Sequence, residues 1–213
     1  MNCRADRVLP ALVWLAVVVA GTGVGARQGT SRASSRPSSV STVREASCAA
    51  DLGKGVKTGR EFCDVIIAAT GADSVSMSIP SHSGAATLYF DLHPRFETMD
   101  PDADPARLFQ RDRPIVAVVG PTGDLIDRVA TAGEFRATTD LFDRIAGGGP
   151  GGFKVVAPGF PSPIKVTLPA GTSAIGIVGL SLEITNRFNT AAYSEPGRPV
   201  AIVSNWRIDY VAR

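Results

Sequence analysis

The sequence predicts an all-β fold, an antiparallel β-sandwich of about eight or nine strands with one or two short helices. Apolar and polar residues alternate over many short segments, which is typical of strands with one buried face. Turns rich in Gly and Pro separate these segments, and no helical pattern is long enough to connect parallel strands repeatedly. Together these features favour a sandwich over an α/β fold.

The N-terminus has the features of a secretory signal peptide. Arg4 and Arg7 precede an apolar run over residues 8–20, and small residues follow, which predicts a leader over residues 1–26 that is cleaved before Arg27. An uncleaved anchor is disfavoured, because the apolar stretch barely reaches the roughly 20 residues of a membrane span and contains a proline. We therefore expect an exported protein, periplasmic or extracellular, whose mature form is soluble and does not span the membrane.

Composition divides the remaining chain into two parts. Residues 27–46 are rich in Ser and Arg, so they are expected to form a disordered linker. Residues 47–213 are expected to form one domain, which is long enough to bury about 70% of its unfolded surface.

Cleavage of the leader removes two arginines and one aspartate from a chain of net charge +2, which leaves +1. This balance argues against a nucleic-acid partner, because such binding requires clustered positive charge.

Two cysteines remain after cleavage, Cys48 and Cys63. An even pair in an exported protein predicts a disulfide, and a loop of about 15 residues corresponds to roughly 3 kcal/mol of stabilisation in the chain-entropy model. Two free thiols are the alternative. A metal pair is disfavoured because neither a CxxC nor a Cys-His spacing accompanies these residues.

The clearest strand patterns lie over residues 73–80 and 85–93, and the turn at residues 80–84 predicts that they form a hairpin. The two predicted buried faces comprise Val75, Met77 and Ile79, and Leu88, Phe90 and Leu92. The second strand would turn Thr87, Tyr89, Asp91 and His93 toward water.

Similar patterns continue to the C-terminus. In the last strand one face is expected to carry Val200, Ile202, Ser204, Trp206, Ile208 and Tyr210. Two segments have helical character, residues 104–111 and residues 139–146, and the glycines at 147–152 predict a flexible loop. The further predicted strands are 62–69, 114–119, 125–130, 153–157, 164–168 and 180–184.

No cofactor or metal site is predicted. Residues 120–124 follow a strand as a phosphate loop would, but the Lys and hydroxyl of such a loop are missing, so a β-turn is favoured. Asp100, Asp102 and Asp104 have the spacing of a calcium loop, yet Pro105 stands where that loop requires Gly. An irregular calcium site is the alternative to an acidic surface loop.

The candidate catalytic residues are Asp91, His93, Glu134 and Glu183. Carboxylates can act in pairs in glycoside hydrolysis, and a histidine can act as a base, but the sequence shows no nucleophile elbow and no local metal-ligand spacing. Both histidines are therefore interpreted as ordinary surface or turn residues. The candidate binding residues are His82, Tyr89 and Tyr193, whereas Trp206 and Tyr210 fit the core. Few exposed aromatic residues argue weakly against a glycan-binding module.

Two hypotheses about function follow. The first is a non-enzymatic exported domain, binding or structural, whose partner is a protein or glycan of the cell envelope. Its expected contact surface combines the loops at residues 80–84, 147–152 and 186–199. The second is a hydrolase acting on an envelope or extracellular polymer, with the candidate catalytic residues in a cleft between the two sheets.

Overall fold

The protein is a β-sandwich, as the sequence predicts. In the computed structural model, which describes residues 39–97, 109–145 and 156–213, two antiparallel sheets of seven strands pack face to face. The strands are β1 (Val40–Val43), β2 (Ser47–Cys48), β3 (Asp51–Lys54), β4 (Glu61–Ile66), β5 (Val75–Ser78), β6 (His82–Glu97), β7 (Gln110–Val119), β8 (Leu125–Ala130), β9 (Gly133–Phe135), β10 (Val156–Pro158), β11 (Ser162–Leu168), β12 (Ala174–Asn186), β13 (Thr190–Tyr193) and β14 (Pro199–Ala212).

Each sheet is built around two long central strands. Sheet 1 has the order β10-β6-β14-β4-β3, with β11 also paired to β6 and β1 also paired to β14. Sheet 2 has the order β2-β5-β12-β7-β8, with β13 also paired to β12 and β9 also paired to β7. The structure has more strands than the sequence predicts, because short strands such as β2 and β9 contain too few residues to show an alternation.

The main core lies between the two sheets. The side chains predicted to be buried in β5 and β6 all contribute to it, and each is at least 94% buried. Apolar residues from β7, β11, β12 and β14 complete it. Because this interior is filled by packed side chains, no open cleft separates the sheets where their described residues meet.

The predicted hairpin between β5 and β6 does not form. β5 pairs with β2 and β12 in sheet 2, whereas β6 pairs with β14 and β11 in sheet 1. Residues 79–81 therefore cross from one sheet to the other, and residues 82–84 already belong to β6. The alternation identified the buried face of each strand correctly, but it carries no information about which strand lies beside it.

The disulfide between Cys48 and Cys63 is present, as predicted, with the two Cα atoms 5.9 Å apart. Cys48 lies on β2 in sheet 2, and Cys63 lies on β4 in sheet 1. The bond therefore joins the two sheets covalently across the main core.

A second, smaller core lies on the opposite face of sheet 1. It is closed by residues 141–145 and by residues 156–160, which include the edge strand β10 of sheet 1. We call these two stretches together the covering segment. Isolated bridges pair Leu141 with Gly159 and Ile145 with Gly55. The members of this outer core are Leu52, Phe62, Ile145 and Ile202, with Phe142 and Val156 packed against them.

The helix predicted at residues 139–146 is wrong. A single 3-10 turn at Thr138–Asp140 is followed by extended chain, since Phe142 and Ile145 reach the outer core while their backbone bonds to neighbouring segments. The other predicted helix, at residues 104–111, overlaps β7 at its end, and its first five residues lie outside the described residues. Residues 153–155 of a predicted strand and the 147–152 loop also lie outside them.

The last strand does not keep one face buried along its length. The register of β14 shifts between Ser204 and Arg207, where Asn205 has a φ of 53°. A second irregularity near Pro199 changes the pairing with β4. As a result Val200 and Ile208 pack in the main core, whereas Ile202, which lies between them on the same predicted face, packs in the outer core.

Part of the predicted linker is ordered. Residues 40–43 form β1, which pairs with the C-terminal part of β14. Their Val-Ser-Thr-Val pattern suits an edge strand, and the backbone groups of β14 provide its hydrogen bonds. Residues 1–38, which include the predicted leader, lie outside the described residues. No helix in the described ranges has the length and apolar character needed to cross a membrane.

Candidate functional site

The four candidate catalytic residues do not converge on one site. Asp91 and His93 lie on β6, on the outer face of sheet 1. Glu134 on β9 and Glu183 on β12 flank β7 in sheet 2. The main core separates the two pairs, so each pair has to be considered by itself.

His93 is completely buried, which contradicts its interpretation as a surface residue. Its Nδ1 lies 2.8 Å from the carbonyl oxygen of Gly159 and its Nε2 lies 2.9 Å from Oγ of Ser204. A carbonyl can only accept, so Nδ1 carries the hydrogen and the Ser204 hydroxyl donates to Nε2. His93 thus ties the covering segment to β14, and the rings of Phe62 and Phe142 enclose it.

The Ser204–His93 pair has the atoms of a nucleophile and a base, but it does not have their setting. Both side chains are fully buried, so a substrate could not reach the Ser204 hydroxyl in this conformation. The orienting partner on Nδ1 is a carbonyl, where a catalytic triad places a carboxylate. Burial lowers the pKa of His93 to about 4, well below the neutral range in which a general base works best.

Asp91 and Tyr89 lie beside this buried network on the outer face of β6, where both are partly exposed. Asp91 accepts a hydrogen bond of 2.7 Å from the Arg60 guanidinium and a longer one of 3.3 Å from Asn205. Tyr89 lies between two cations from the neighbouring strands. The Arg207 guanidinium carbon is 4.0 Å from the centre of the tyrosine ring, and Lys165 Nζ is 5.8 Å from it.

Two phenylalanines extend this row at the edge of the covering segment. The guanidinium carbon of Arg60 lies 5.1 Å from the centre of the Phe142 ring, and Phe160 packs edge-on against Phe142 at 6.0 Å. Phe160 is 61% exposed. Side-chain contacts therefore run from Phe160 to Asp91, and Tyr89 follows two residues away on the same face of β6. We call this surface the outer ribbon; it comprises Phe160, Phe142, Arg60, Asp91, Asn205, Tyr89, Arg207 and Lys165.

Glu134 and Glu183 are both paired with arginines. Glu134 accepts from Arg111 at 2.9 Å and from Arg136 at 2.6 Å, and these two bonds lower its pKa. Arg113 lies 3.5 Å from Glu183. A carboxyl group that protonates a leaving group needs a raised pKa, so the environment of Glu134 is unsuited to that role.

The candidate binding residues His82 and Tyr193 are partly or fully packed. His82 is 5% exposed, which corrects its interpretation as a surface residue. Its Nδ1 is 3.0 Å from the Pro80 carbonyl, and its Nε2 has no hydrogen-bond partner in the described part of the chain. Tyr193 lies on β13, where the Arg198 guanidinium covers its ring at 3.6 Å from the centre.

The three loops expected to form one contact surface do not do so. The loop predicted at residues 186–199 is largely a hairpin of β12 and β13, with its turn beside Gln110. Residues 80–84 lie near Ala174, at the other end of β12. A strand of thirteen residues separates the two turns by roughly 40 Å. The third loop, at residues 147–152, is outside the described residues.

The candidate calcium ligands Asp100, Asp102 and Asp104 are also outside the described residues. Within the ranges that the structure describes, no group of three or more His, Cys, Asp or Glu side chains is placed to hold a metal ion.

The basic members of the outer ribbon were not predicted from the sequence. Lys165 alternates with apolar residues in β11, which is a recognisable signal for an outward side chain. Arg60 and Arg207 gave no comparable signal, because their positions depend on the end of a turn and on a bulge.

Comparisons of the chain with protein-family models, with curated proteins and with solved structures find no match.

Proposed function

We propose that this protein is an exported, non-enzymatic domain that binds an acidic polysaccharide of the cell envelope along the outer ribbon. The observation that carries the proposal is the continuous row of aromatic and cationic side chains on one open face of sheet 1. Phe160 and Lys165 are five residues apart along nearly extended chain, so the row is roughly 15 Å long. This length suits an extended polymer better than a small molecule.

The chemistry of the outer ribbon supports an acidic sugar polymer. Aromatic rings bury large areas at little conformational cost. Phe160 offers an exposed ring at one end, and the partly exposed Tyr89 ring lies between Arg207 and Lys165 toward the other. Arg60, Arg207 and Lys165 bring three positive charges against the single carboxylate of Asp91 inside the ribbon. Arg207 also lies 3.6 Å from Asp209 at its edge, so a modest positive excess remains.

Several features of the described residues favour binding over hydrolysis. Asp91 is held in an ion pair with Arg60, and the pKa of Glu134 is lowered by its two arginines. The buried His93 and Ser204 face no open surface. The alternative hypothesis of a hydrolase with a cleft between the sheets therefore receives no support from the geometry.

Export is supported by the predicted leader and by the disulfide between the sheets, since stable disulfides are typical of oxidising compartments. Mass spectrometry of the protein recovered from the periplasm or the medium tests this part. We expect a mature chain that begins at Arg27 with Cys48 and Cys63 oxidised. A product that retains residues 1–26 in the cytosol would contradict it.

Affinity electrophoresis tests the binding proposal, with polygalacturonate as the acidic polymer and amylose as the neutral one. We expect the mature protein to be retarded by polygalacturonate, and Tyr89→Ala to weaken this binding about tenfold, the effect of losing one good stacking contact. Phe160→Ala should also weaken it. Phe188→Ala is the matched control, because Phe188 is 81% exposed on the hairpin of sheet 2. No retardation by polygalacturonate, or equal losses in Phe160→Ala and Phe188→Ala, overturns the proposal.

A further inference from the structure

A concave surface lies on sheet 2, away from the outer ribbon. It is a solvent-open depression of about 510 Å³ lined by Arg111, Arg113, Ala132, Gly133 and Glu134. Arg111 and Arg113 lie two residues apart on β7, so their side chains share one face of that strand. The depression is therefore a property of the central strand of sheet 2 and of β9 beside it.

The floor of the depression is formed mainly by backbone atoms and carries no large side chain. Gly133 packs so closely against sheet 1 that a Cβ atom there would lie 2.4 Å from Cγ of Pro94. A larger residue at this position would displace Pro94 or β9, and the adjacent Ala132 contributes only a methyl group. Because the floor is backbone and one methyl, the arginine side chains form the walls.

The charges around the depression are unequal. Arg111 and Arg136 bind the two oxygens of Glu134, and the Phe109 ring supports Arg136 at 5.7 Å from its centre. Arg113 is different: its side chain is 62% exposed, and its contact with Glu183 at 3.5 Å is long for a charged hydrogen bond. Three guanidinium groups thus face two carboxylates, and Arg113 keeps most of its donors available.

We propose that this depression binds an oxyanion group, a carboxylate or a phosphate, carried by a ligand and held by Arg113 together with Arg111. The planar guanidinium fork matches the oxygens of either group and is the usual protein partner for them. Glu134 is the internal competitor. Nε and a terminal nitrogen of Arg111 both donate to the same Glu134 oxygen, so Arg111 is already oriented toward a carboxylate in the depression.

The site is independent of the proposed glycan surface, because β7 and β9 belong to sheet 2 whereas the outer ribbon lies on sheet 1. Replacement of the Glu134 carboxylate at Arg111 by the oxyanion of a ligand would require only side-chain movement, since Glu134 and Arg111 are partly exposed. An incoming oxyanion would then bind Arg113 and Arg111 together, while Glu134 would keep its bond to Arg136.

Nuclear magnetic resonance titration of the mature protein tests the proposal, with inorganic phosphate in one arm and acetate in the other, at constant ionic strength. We expect saturable shifts of the Ala132 and Gly133 amide signals in at least one arm. Arg113→Gln should weaken binding about tenfold, the effect expected for one charge-assisted hydrogen bond. The affinity of Arg113→Lys should lie between those of the wild-type protein and Arg113→Gln. Glu134→Gln should tighten it, because the competing charge is removed.

Arg44→Gln, an exposed arginine directly after β1 and outside both proposed surfaces, is the matched control and should leave both titrations unchanged. Saturation with phosphate alone identifies a phosphate ligand, and saturation with acetate alone identifies a carboxylate ligand. Shifts that do not saturate in either arm, or equal affinities of the wild-type and Arg113→Gln proteins, overturn the proposal. Thermal unfolding of each variant establishes that the fold is retained, and Arg113 variants carry the test if Glu134→Gln is destabilised.

Discussion

The main core and the outer core lie on opposite faces of sheet 1 and are filled differently. The main core is the larger cluster of buried apolar side chains, and the disulfide lies at its edge. Among the described residues, the outer core has four buried apolar members, and beside them lie the buried polar groups of His93, Ser204 and Asp143. Hydrophobic burial dominates the first region, whereas the second combines it with specific hydrogen bonds.

This difference shows the limit of alternation as a guide to solvent exposure. The pattern of β6 places Leu92 on one face and His93 on the other, and the structure agrees. The inference that the second face meets water fails at His93, because the covering segment packs on it. A residue outside the sandwich interior is therefore exposed only where nothing else covers the sheet.

The largest expected effect is the loss in the free energy of unfolding when a buried phenylalanine is replaced by alanine, and it can be compared between the two cores. Phe90→Ala removes a ring from the main core, where neighbouring side chains on both sheets restrict relaxation, and we expect a loss of about 4 kcal/mol in the free energy of unfolding. Phe62→Ala in the outer core should cost less, about 3 kcal/mol, because the covering segment can move inward.

Urea unfolding of the two variants measures this comparison. The hydrogen exchange of the Val56 amide, which donates to the Arg144 carbonyl, adds a local readout. It should rise more in Phe62→Ala than the global loss of stability accounts for, and Phe90→Ala should show only the global change. A larger loss in Phe62→Ala than in Phe90→Ala would show that the outer core is the more rigid of the two.

Much of the main core could be predicted from the sequence. The buried residues of β5 and β6 follow from period two alone, and the disulfide follows from an even pair of cysteines behind a predicted leader. The pairing of β5 with β12 could not be predicted, because the two strands are far apart in the chain. Their contact depends on the packing of the whole sandwich.

The outer core and the outer ribbon were less predictable for a physical reason. Tyr89 and Asp91 were placed correctly on the outward face of β6, and Tyr89 was a candidate binding residue. Arg207 reaches the Tyr89 ring only because β14 bulges at Asn205, and Arg60 reaches Asp91 from a turn before β4. Such contacts depend on register and irregular backbone, which local patterns do not encode.

The second effect is a loss of stability in acid, which we expect because His93 is buried beside the outer core. Burial holds the pKa of His93 near 4, whereas the unfolded chain has the ordinary value of 6.5. The unfolded state therefore binds the proton first as the pH falls. The stability that depends on neutral His93 is fully present above pH 6.5 and is lost between pH 6.5 and about 4, by up to about 3 kcal/mol.

Urea unfolding at a series of pH values measures this loss. In His93→Gln the decline between pH 6.5 and 4.5 should be much smaller, because the substituted side chain does not titrate. The variant itself should be less stable at pH 7, since the link between Gly159 and Ser204 is altered. An unchanged slope in His93→Gln would show that another group causes the acid sensitivity.

The smallest of the three effects concerns Asp143, which anchors the covering segment. Its carboxylate accepts from the backbone N–H groups of Lys57 and Thr58 at 2.9 Å each, and from the Thr58 hydroxyl and the Arg144 N–H. Burial raises the pKa of Asp143, but these hydrogen bonds outweigh it and the pKa is lowered. Asp143→Asn should cost about 2 kcal/mol, because an amide nitrogen cannot accept the bonds that one carboxylate oxygen accepts.

Hydrogen exchange distinguishes this anchor from a general loss of stability. The Lys57 and Thr58 amides should exchange faster in Asp143→Asn, while amides at the centre of β12 should change only by the global amount. Asp127→Asn is the matched control, because Asp127 is exposed and accepts a hydrogen bond from the adjacent Arg128 N–H. The acid response from pH 6.5 to 4.5 should survive in Asp143→Asn, since the lowered pKa of Asp143 affects stability only below its usual value of 3.8. If that response disappeared together with the anchor, the burial of His93 would depend on Asp143, and the two polar groups would form one cooperative unit.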